Sequence, residues 1–413
     1  MDFKTTKIKI KHLKTNEYEF LKEMCWHSAR LYNVSLYNIR QTFFAEKKYL
    51  KYESNYHISK SNENYQIMPS AVAQQTMKVA DRSFKSFFAL LKKAKKGNYQ
   101  YNKIQMPHYL KKEDYFLLIF PTSAFRIKNG KLYIGVSSQS KKVGIKDISF
   151  DIPDYIKSKK IKEVRLIPRL QLRYFDLEII YESPVNSLSL NKNSYLSIDI
   201  GINNLMTCFD QSNNKTFIVN GKQLKNINYY WNKQIAKLSS IKDKQKNKKW
   251  TKRMYSLTEK RNNRVTDFMR KSAKYIIDYC IKNDIGNIVI GKNDDIKREI
   301  NLGSKNNQNF VQIPFGQLFQ QLSYRSREIG IKYIEVEESY TSKCSCIDNE
   351  TIEYHDVYMG QRIKRGLFKT KEEFHINADV NGAINILRKV NGMVIKPNHI
   401  KGILVFPLKI RIS

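Results

Sequence analysis

The sequence predicts an α+β protein with more than one domain, and three observations support this fold class. The chain has 413 residues, which is enough for two or three domains of ordinary size. Its first half is typical of a β-rich unit with a helical insertion, and its second half of three strands followed by alternating helices and strands. Hydrophobic residues make up 41% of the chain, which excludes a disordered basic tail.

The first half begins with a strand within residues 1–15. Apolar residues at spacings of three and four then predict a helix over residues 17–38. The polar stretch 54–65 is expected to be a loop. Pro69 precedes a second helical pattern over residues 71–95, and proline suits the first turn of a helix.

β-Branched and aromatic residues dominate the segments that follow. The dipeptide Asn129-Gly130 predicts a hairpin turn between two of them. Residues 183–193, rich in Ser and Asn, are expected to link the two halves. The predicted strands cover residues 115–120, 124–127, 132–136, 161–167 and 171–181.

The second half predicts three short strands, a long polar helical stretch and then an alternation of strands and helices. This order is that of an RNase H-like fold. The predicted strands are 194–199, 205–209, 216–219, 287–290 and 332–336, and the predicted helices are 222–283, 315–329 and 379–390.

The charge of the chain indicates a polyanionic partner. Lys and Arg number 74 against 38 Asp and Glu, which gives a formal net charge of +36. Nucleic acid is the first partner to consider. A membrane is disfavoured because no window approaches the roughly 18 apolar residues that a spanning helix needs. Five scattered cysteines argue against secretion, and so does a start in which Ile and Lys alternate without the apolar core of a signal peptide. A cytoplasmic, nucleoid-associated location is therefore expected.

Two aspartates are the first candidates for chemistry. Asp199 ends an apolar strand, where a carboxylate is costly to bury unless it binds something positive. Asp379 lies at the start of the last predicted helix. Carboxylates that converge from different elements could hold magnesium for phosphodiester cleavage. Alternatively, Asp199 makes a turn through its side chain and Asp379 only favours the helix dipole.

Four segments carry a resemblance to a known family. SIDIGINNLMT (197–207) resembles the first RuvC motif of the TnpB family, and INADVNGAINILRK (376–389) resembles the third. ESYTSKCSC (338–346) resembles the start of the family's zinc-ribbon insertion. QIMPSAVAQQTMKVADRSFKSFF (66–88) resembles its N-terminal helical lobe. TnpB proteins are insertion-sequence-encoded RNA-guided nucleases related to type V CRISPR effectors.

The resemblance implies a domain organisation. Residues 1–185 would form a β-barrel-like wedge domain with a helical recognition lobe inserted at about 16–100. Residues 194–413 would form an RNase H-like RuvC α/β nuclease domain, with a degenerate zinc-ribbon-like insertion at about 341–376.

The resemblance also implies an activity. The protein would be a guide-RNA-directed endonuclease that cuts double-stranded DNA next to a short target-adjacent motif, with two Mg²⁺ ions in the RuvC site. Two alternatives stay open: a nuclease-dead, RNA-guided DNA-binding repressor, and a CRISPR-like effector derived from TnpB.

One departure from the family concerns the catalytic glutamate. The family's second RuvC motif ends its strand with Glu, whereas NIVIGKNDD (287–295) has Gly291 there. The strand that ends with Glu337 and Glu338 is expected to be its parallel neighbour, about 4.8 Å away. Glu338 is therefore predicted to replace the missing acid as a metal ligand beside Asp199 and Asp379. Glu337 is the reserve candidate; the weaker rivals are Asp294, Asp295 and Glu299, and a solvated acidic strand end remains the alternative.

A second departure concerns zinc. The family's ribbon has two Cys-x-x-Cys pairs, whereas this chain has only Cys344 and Cys346 in the corresponding segment. His355 and His375 could in principle complete a site, but a structural zinc ion is not expected.

Basic segments indicate where nucleic acid would bind. Residues 222–282 contain 18 Lys and Arg against 4 Asp and Glu, which favours a phosphate-facing surface. Interleaved aromatic residues could stack on bases or pack in the core. On the helix 71–95, polar residues are candidates for contacts with the target-adjacent motif. The predicted contacts are Gln74, Gln75, Lys78, Arg82, Lys248, Lys249, Arg253, Arg261, Arg362, Lys364 and Arg365, and the aromatic candidates are Tyr229, Tyr230, Trp231, Trp250 and Tyr255.

Overall fold

A computed structural model describes residues 2–137, 144, 147–246, 249–292, 312–394 and 406–412. The chain divides into two compact units, Met1–Pro184 and Val185–Ser413. Within the described ranges, no helix has both the length and the apolar character that crossing a lipid bilayer requires.

The first unit contains two antiparallel sheets. A four-stranded sheet has the order β1-β7-β6-β2, and a three-stranded sheet has the order β3-β4-β5. Asn129 and Gly130 both adopt positive φ, of 50° and 71°, which confirms the predicted hairpin turn. The strands are β1 (Asp2–Ile10), β2 (Leu118–Pro121), β3 (Phe125–Lys128), β4 (Lys131–Ile134), β5 (Ile148–Asp151), β6 (Ile161–Arg169) and β7 (Tyr174–Ser183).

Helices follow β1 and precede β2. Leu21 and Met24 on the first long helix and Met77 on the second are buried in one core with Leu118 and Phe120 of β2. These helices are α1 (Thr15–Glu46), α2 (Tyr52–Ser59), α3 (Glu63–Ile67) and α4 (Ser70–Lys95), and the short α5 (Asp154–Lys157) lies between β5 and β6.

The expected loop at residues 54–65 is wrong, because α2 and most of α3 occupy it. Asn55 and Ser59 of α2 are buried, and both accept hydrogen bonds from the Asn38 side chain. Asn62 caps α3 by accepting from the backbone N–H of Asn64. These helices bury polar rather than apolar residues, so their sequence shows no apolar stripe.

The second unit is built on a six-stranded sheet of order β12-β11-β8-β9-β10-β16. β9 is antiparallel to both of its neighbours, whereas the β12–β11, β11–β8 and β10–β16 pairs are parallel. Every strand except β9 therefore ends at the same edge of the sheet, which we call the carboxyl edge. The strands are β8 (Tyr195–Ile200), β9 (Asn204–Asp210), β10 (Lys215–Asn220), β11 (Asn287–Lys292), β12 (Lys332–Glu337) and β16 (Leu408–Ile410).

Helices cover both faces of this sheet. α6 (Lys222–Lys244), α7 (Lys252–Lys282) and α8 (Phe315–Ile329) contribute to the core on one face. α9 (Ala378–Asn391) packs on the other face. The single helix expected over residues 222–283 is in fact α6 and α7: Lys246 adopts a left-handed φ of 52°, and Thr251 caps the next helix.

A small sheet lies between β12 and α9 in the sequence. Its order is β13-β14-β15, and all pairs are antiparallel. The strands are β13 (Gln361–Lys364), β14 (Leu367–Lys369) and β15 (His375–Asn377). Phe368 and Ile376 anchor this sheet in the core that also contains α9.

Candidate active site

The candidate carboxylates gather where the parallel strands end. Asp199 is the penultimate residue of β8, and Ile198 before it is paired with Ile290 of β11. Gly291 is paired with Val336 of β12, so the predicted parallel pairing of these two strands is confirmed. Glu338 directly follows β12. The carboxyl edge thus presents Asp199, Gly291 and Glu338 on three adjacent strands.

Gly291 leaves room that its neighbours fill. A β-carbon added there would lie 2.6 Å from Ile386 Cδ1 of α9 and 3.1 Å from Glu338 Oε2. A side chain from β11 cannot occupy this position unless one of these groups moves. The carboxylate of Glu338 therefore reaches the space beside the residue that lacks an acid.

Glu337 is directed elsewhere. Its carboxylate accepts hydrogen bonds from the backbone N–H and the hydroxyl of Ser339, and it lies 3.5 Å from Lys389 Nζ. About two thirds of the Glu337 side chain is exposed, whereas Glu338 is half-buried. This difference follows from the alternation of successive residues along an extended chain.

Helix α9 fixes the segment that carries Glu338. Lys389 Nζ donates to the backbone oxygens of Glu337 and Ser339 at 2.9 and 2.8 Å. Asn385 Nδ2 donates to the backbone oxygens of Thr341 and Cys344, and the buried Asn381 side chain bonds Cys344 O and Cys346 N. The polar residues of the NADVNGAINILRK segment thus hold the chain on both sides of the turn after β12.

Asp379 lies in the first turn of α9 and contributes its carboxylate to the site. Its Oδ2 accepts a 2.7 Å hydrogen bond from Asn204 Nδ2, and Arg362 Nη2 lies 3.3 Å from its Oδ1. One turn further along α9, a β-carbon added at Gly382 would lie 3.2 Å from Asp199 Oδ2. The glycine therefore lets the helix lie directly against the Asp199 carboxylate.

The charges of these groups act on one another. Burial raises the pKa of the Asp199 carboxyl well above its usual range, and Asp379 and Glu338 raise it further. The backbone N–H of Ile200 and the charge of Arg362 oppose this rise. Burial also raises the pKa of Glu338, with a contribution from Glu337 and opposition from Lys389. Burial acts in the same direction on Glu337, but hydrogen bonds from Ser339 and the charge of Lys389 lower its pKa.

The donor set suits a hard divalent cation, although the side chains are not closed around one. Three carboxylates and the Asn204 amide offer oxygen ligands, which Mg²⁺ prefers. Among the described residues, no group of three or more His, Cys, Asp or Glu side chains is close enough to hold a metal ion. Arg362 supplies positive charge at Asp379. The rivals Asp294, Asp295 and Glu299 lie outside the described residues.

Replacement of Asp199 by Asn is expected to raise the melting temperature in metal-free buffer at pH 7–8. The raised pKa of Asp199 means that its ionised form disfavours folding above the ordinary carboxyl pKa. Relief of an unfavourable functional group commonly stabilises a protein by about 0.5–2 kcal/mol. The gain should vanish as pH falls through about 4, where the unfolded carboxyl also protonates. Calorimetry of both proteins across this pH range tests the effect, and a gain that persists at pH 3 would contradict it.

In the first unit, α4 carries the predicted motif contacts. Arg82 is exposed, and Gln74, Gln75 and Lys78 are half-buried. Gln74 Nε2 lies 3.4 Å from the Tyr65 hydroxyl, and Lys78 Nζ lies 5.1 Å from the centre of the Tyr52 ring. These residues form one polar surface of the helix, and their binding role stays a prediction.

The predicted contacts in the second unit fall into two groups. Arg253, Lys364 and Arg365 are exposed. Arg261 is instead used within the protein: it donates to Asn228 Oδ1 and to Gln312 O at 2.8 Å each, and burial lowers its pKa. Lys249 also has a partner within the chain, and Lys248 lies outside the described residues.

The aromatic candidates also divide into exposed residues and residues that have partners within the protein. Tyr229 and Tyr230 are 62% and 55% exposed, so their rings are available for stacking. Trp231 donates a hydrogen bond to Thr258, and the ring of Trp250 packs on that of Tyr255.

The cysteine segment is held by hydrogen bonds and burial. Cys344 and Cys346 are both buried, and burial raises the pKa of the Cys346 thiol to about 12. Cys344 Sγ lies 3.7 Å from Glu353 O. His355 bonds Thr351, and His375 is exposed at the start of β15.

Sequence reasoning missed two residues at this site. Asn204 orients Asp379 from the start of β9, and Lys389 fixes the Glu338 segment from the end of α9. Asn204 belongs to the same motif as Asp199, so its position near the turn was visible. In the sequence, Lys389 is indistinguishable from any basic residue in the last turn of a helix.

Two family models match the second half of the chain and part of β7. Residues 178–297 match OrfB_IS605, described as a probable transposase. Residues 315–386 match the Cas12f1-like TNB domain. These segments are thus similar to the TnpB transposase family and to Cas12f1, and the first match agrees with the family that the motifs predicted.

Two individual relatives support the same family relationship. TnpB-like protein ORF457 of Acidianus two-tailed virus is 25% identical over 430 residues, covering 94% of this chain and 86% of the relative. The CRISPR-associated endodeoxyribonuclease Cas12f1 of Sulfoacidibacillus thermotolerans is 33% identical over 116 residues, 28% of this chain and 24% of that protein. The resemblance to the TnpB family is confirmed.

Solved structures show the fold. The chain resembles the protein chain of a Cas12f1–sgRNA–target DNA complex with a TM-score of 0.57 and 17% sequence identity. The match covers 90% of this chain and 83% of that chain. It also resembles the mini-RNA-guided endonuclease CRISPR-Cas_phi3, with a TM-score of 0.50, at 11% identity over 94% and 92%. The α+β, multidomain fold class is thus the one predicted.

Proposed function

We propose that this protein is an RNA-guided, Mg²⁺-dependent DNA endonuclease with a RuvC-type site formed by Asp199, Glu338 and Asp379. The single observation that carries the proposal is the position of Glu338. Its carboxylate lies 3.1 Å from where a β-carbon of residue 291 would be, and its charge acts on Asp199. The acid that β11 lacks is supplied by β12.

The proposed binding partners are inferred from the net charge of the chain and from its similarity to Cas12f1. The net charge of +36 favours a polyanionic partner. The Cas12f1 structure that this chain resembles contains a single-guide RNA and target DNA. Guide RNA and double-stranded DNA are therefore the proposed partners, with base pairing supplying the sequence specificity. The wedge, recognition-lobe and RuvC boundaries at 1–185, about 16–100 and 194–413 belong to the same proposal.

The residues of the site have distinct tasks. Asp199, Glu338 and Asp379 would hold the divalent cations, which polarise the phosphodiester and activate water when bound. Asn204 keeps the Asp379 carboxylate oriented through its 2.7 Å hydrogen bond. Lys389 and the Asn385 amide hold the backbone on either side of Glu338. Arg362, about half exposed, can leave Asp379 and contact a phosphate of the substrate.

A nuclease-dead, RNA-guided repressor is the second candidate function. Gly291 favours it because the usual acid of the second motif is absent. Retention of Asp199, Asp379 and an inward-facing Glu338 favours cleavage. A CRISPR-like effector would have the same site, and the genes beside this one would distinguish it.

A cleavage assay separates these functions. The protein is purified with its co-expressed RNA and given a matched duplex and Mg²⁺, with the Asp199→Ala variant and a mismatched duplex as controls. We expect cleavage of the matched duplex by the wild type alone, because Asp199 is central to the charge cluster. Tight binding without cleavage in Mg²⁺ or Mn²⁺ would establish the repressor instead.

A further inference from the structure

A basic groove runs beside the N-terminal half of α6. One part, of about 440 Å³, lies between α6 and α7; an adjoining part, of about 660 Å³, lies between α6 and the segment of β16. Gln223, Asn226 and Ile412 line both parts, so they form one continuous depression. Ile412 is itself buried in the core of the second unit and anchors this wall.

Four of the cations that line the groove have no acidic partner among the described residues. Lys222, Arg264, Lys409 and Arg411 line it, and none of them makes an ion pair with any residue that the structure describes. By contrast, Lys271 in the same wall is paired with Asp267 at 3.0 Å. Unpaired cations around a polar groove suit a row of phosphates. Tyr230, 55% exposed, adds a ring on which a base can stack.

The groove and the candidate carboxylates both lie at the carboxyl edge of the sheet. β10 and β16 are parallel to β8, and they end at Asn220 and Ile410. β16 is the third strand from β8 in the sheet order. At about 4.8 Å per strand, its end lies about 14 Å along this edge from Asp199.

The turn between β8 and β9 connects the two places. Asn203 accepts hydrogen bonds from Gly221 N and from Lys225 Nζ, at 2.8 Å each, at the start of α6. The next residue, Asn204, bonds Asp379. A strand lying over this turn would therefore pass from the carboxylates to the groove without crossing the sheet core.

Resting on the proposed function, we propose that this groove holds the sugar–phosphate backbone of the DNA strand being cut. A separation of about 14 Å would place the contacted phosphates a few nucleotides from the scissile bond. Lys222, Arg264, Lys409 and Arg411 contact phosphates on that side of the scissile bond, and Tyr230 contacts a base.

Photocrosslinking identifies the occupant. Tyr230 is replaced by p-benzoylphenylalanine in the Asp199→Ala background, so that both DNA strands stay intact, and the ribonucleoprotein is irradiated with a matched duplex. We expect a crosslink to one DNA strand, a few nucleotides to one side of the position that the wild type cuts. A crosslink to the guide RNA, or none to either DNA strand, overturns the proposal.

Substitution of the cations tests the same contact by kinetics. Arg264→Ala should lower kcat/KM by about tenfold and the double variant Lys409→Ala/Arg411→Ala by more, as expected for one and two lost charge-assisted contacts. Each should also flatten the salt dependence of DNA binding by about one unit per lost phosphate contact. Lys332→Ala, at an exposed lysine that begins β12 at the opposite edge of the sheet, is the control for net charge and should change neither quantity. Equal losses in Arg264→Ala and Lys332→Ala would overturn the groove proposal.

The two proposals fail in different ways. If the wild type does not cut any duplex, the proposed nuclease function is refuted. The crosslink to DNA or RNA still decides what occupies the groove, because it is measured without cleavage.

Discussion

Replacement of Glu338 by Gln is expected to reduce target cleavage by about 10³-fold, equivalent to several kcal/mol of transition-state stabilisation. Glu338 supplies the carboxylate that the second strand lacks, and its charge acts directly on Asp199. Gln keeps the size of the side chain and removes only the charge. Binding of guide RNA and target DNA should be unchanged, since Glu338 carries no positive charge for phosphates. Single-turnover cleavage and a filter-binding measurement on the same preparation separate the two effects.

Glu337→Gln is the matched control for this experiment. The same substitution one residue earlier removes a carboxylate that bonds Ser339 and Lys389 at the surface. We expect cleavage within about threefold of the wild type, because an exposed pair of this kind contributes little. The reverse result, with Glu337→Gln inactive and Glu338→Gln active, would show that the assignment of Glu338 is wrong. Similar melting temperatures for both variants would exclude a folding defect.

Much of the second unit could be predicted because its elements follow simple patterns. The strand 332–336 and the helix 315–329 are bounded by Gly330 and Pro314 and have clear apolar periods, and both are observed at these positions. The parallel pairing of β11 with β12 follows from the order of strands and helices. That pairing is the reason why the sequence predicts Glu338 as the replacement acid.

Other features depended on contacts that no local pattern reveals. The helices α2 and α3 bury asparagine and serine in a hydrogen-bonded network, so they resemble a polar loop in sequence. Arg261 was indistinguishable from its basic neighbours, and only packing against Trp231 and Asn228 shows that it serves the fold. Lys389 acts through a backbone turn fifty residues earlier in the chain. The roles of individual cations in binding likewise remain predictions.

Restoring the family's acid at position 291 is expected to damage the protein. In Gly291→Glu, the new β-carbon would lie 2.6 Å from Ile386 Cδ1, and Ile386 is fully buried. Overpacking of this kind costs about 1–3 kcal/mol, which should lower the melting temperature by several degrees. Cleavage should fall as well, because the added side chain competes with Glu338 for the same space. Thermal unfolding and single-turnover cleavage test both effects.

Gly316→Glu is the matched control for the steric argument. A β-carbon at Gly316 in the first turn of α8 meets no atom within 4 Å, and an acid there is favoured by the helix dipole. The melting temperature should therefore be at least that of the wild type, and cleavage should be unchanged. If Gly291→Glu also unfolds and cuts like the wild type, Glu338 does not occupy the space beside β11.

Two further substitutions can place the acid on β11 without the groups that compete with it. The triple variant Gly291→Glu/Glu338→Gln/Ile386→Ala removes the competing carboxylate and the colliding methyl group together. We expect it to cut faster than Glu338→Gln, because one carboxylate again faces Asp199 and Asp379 from the adjoining strand. Recovery would show that the site requires an acid in this space and accepts it from either β11 or β12. If cleavage does not recover although the triple variant is folded, the carboxylate must be attached at the end of β12, and the turn held by Lys389 and Asn385 is then part of the catalytic design.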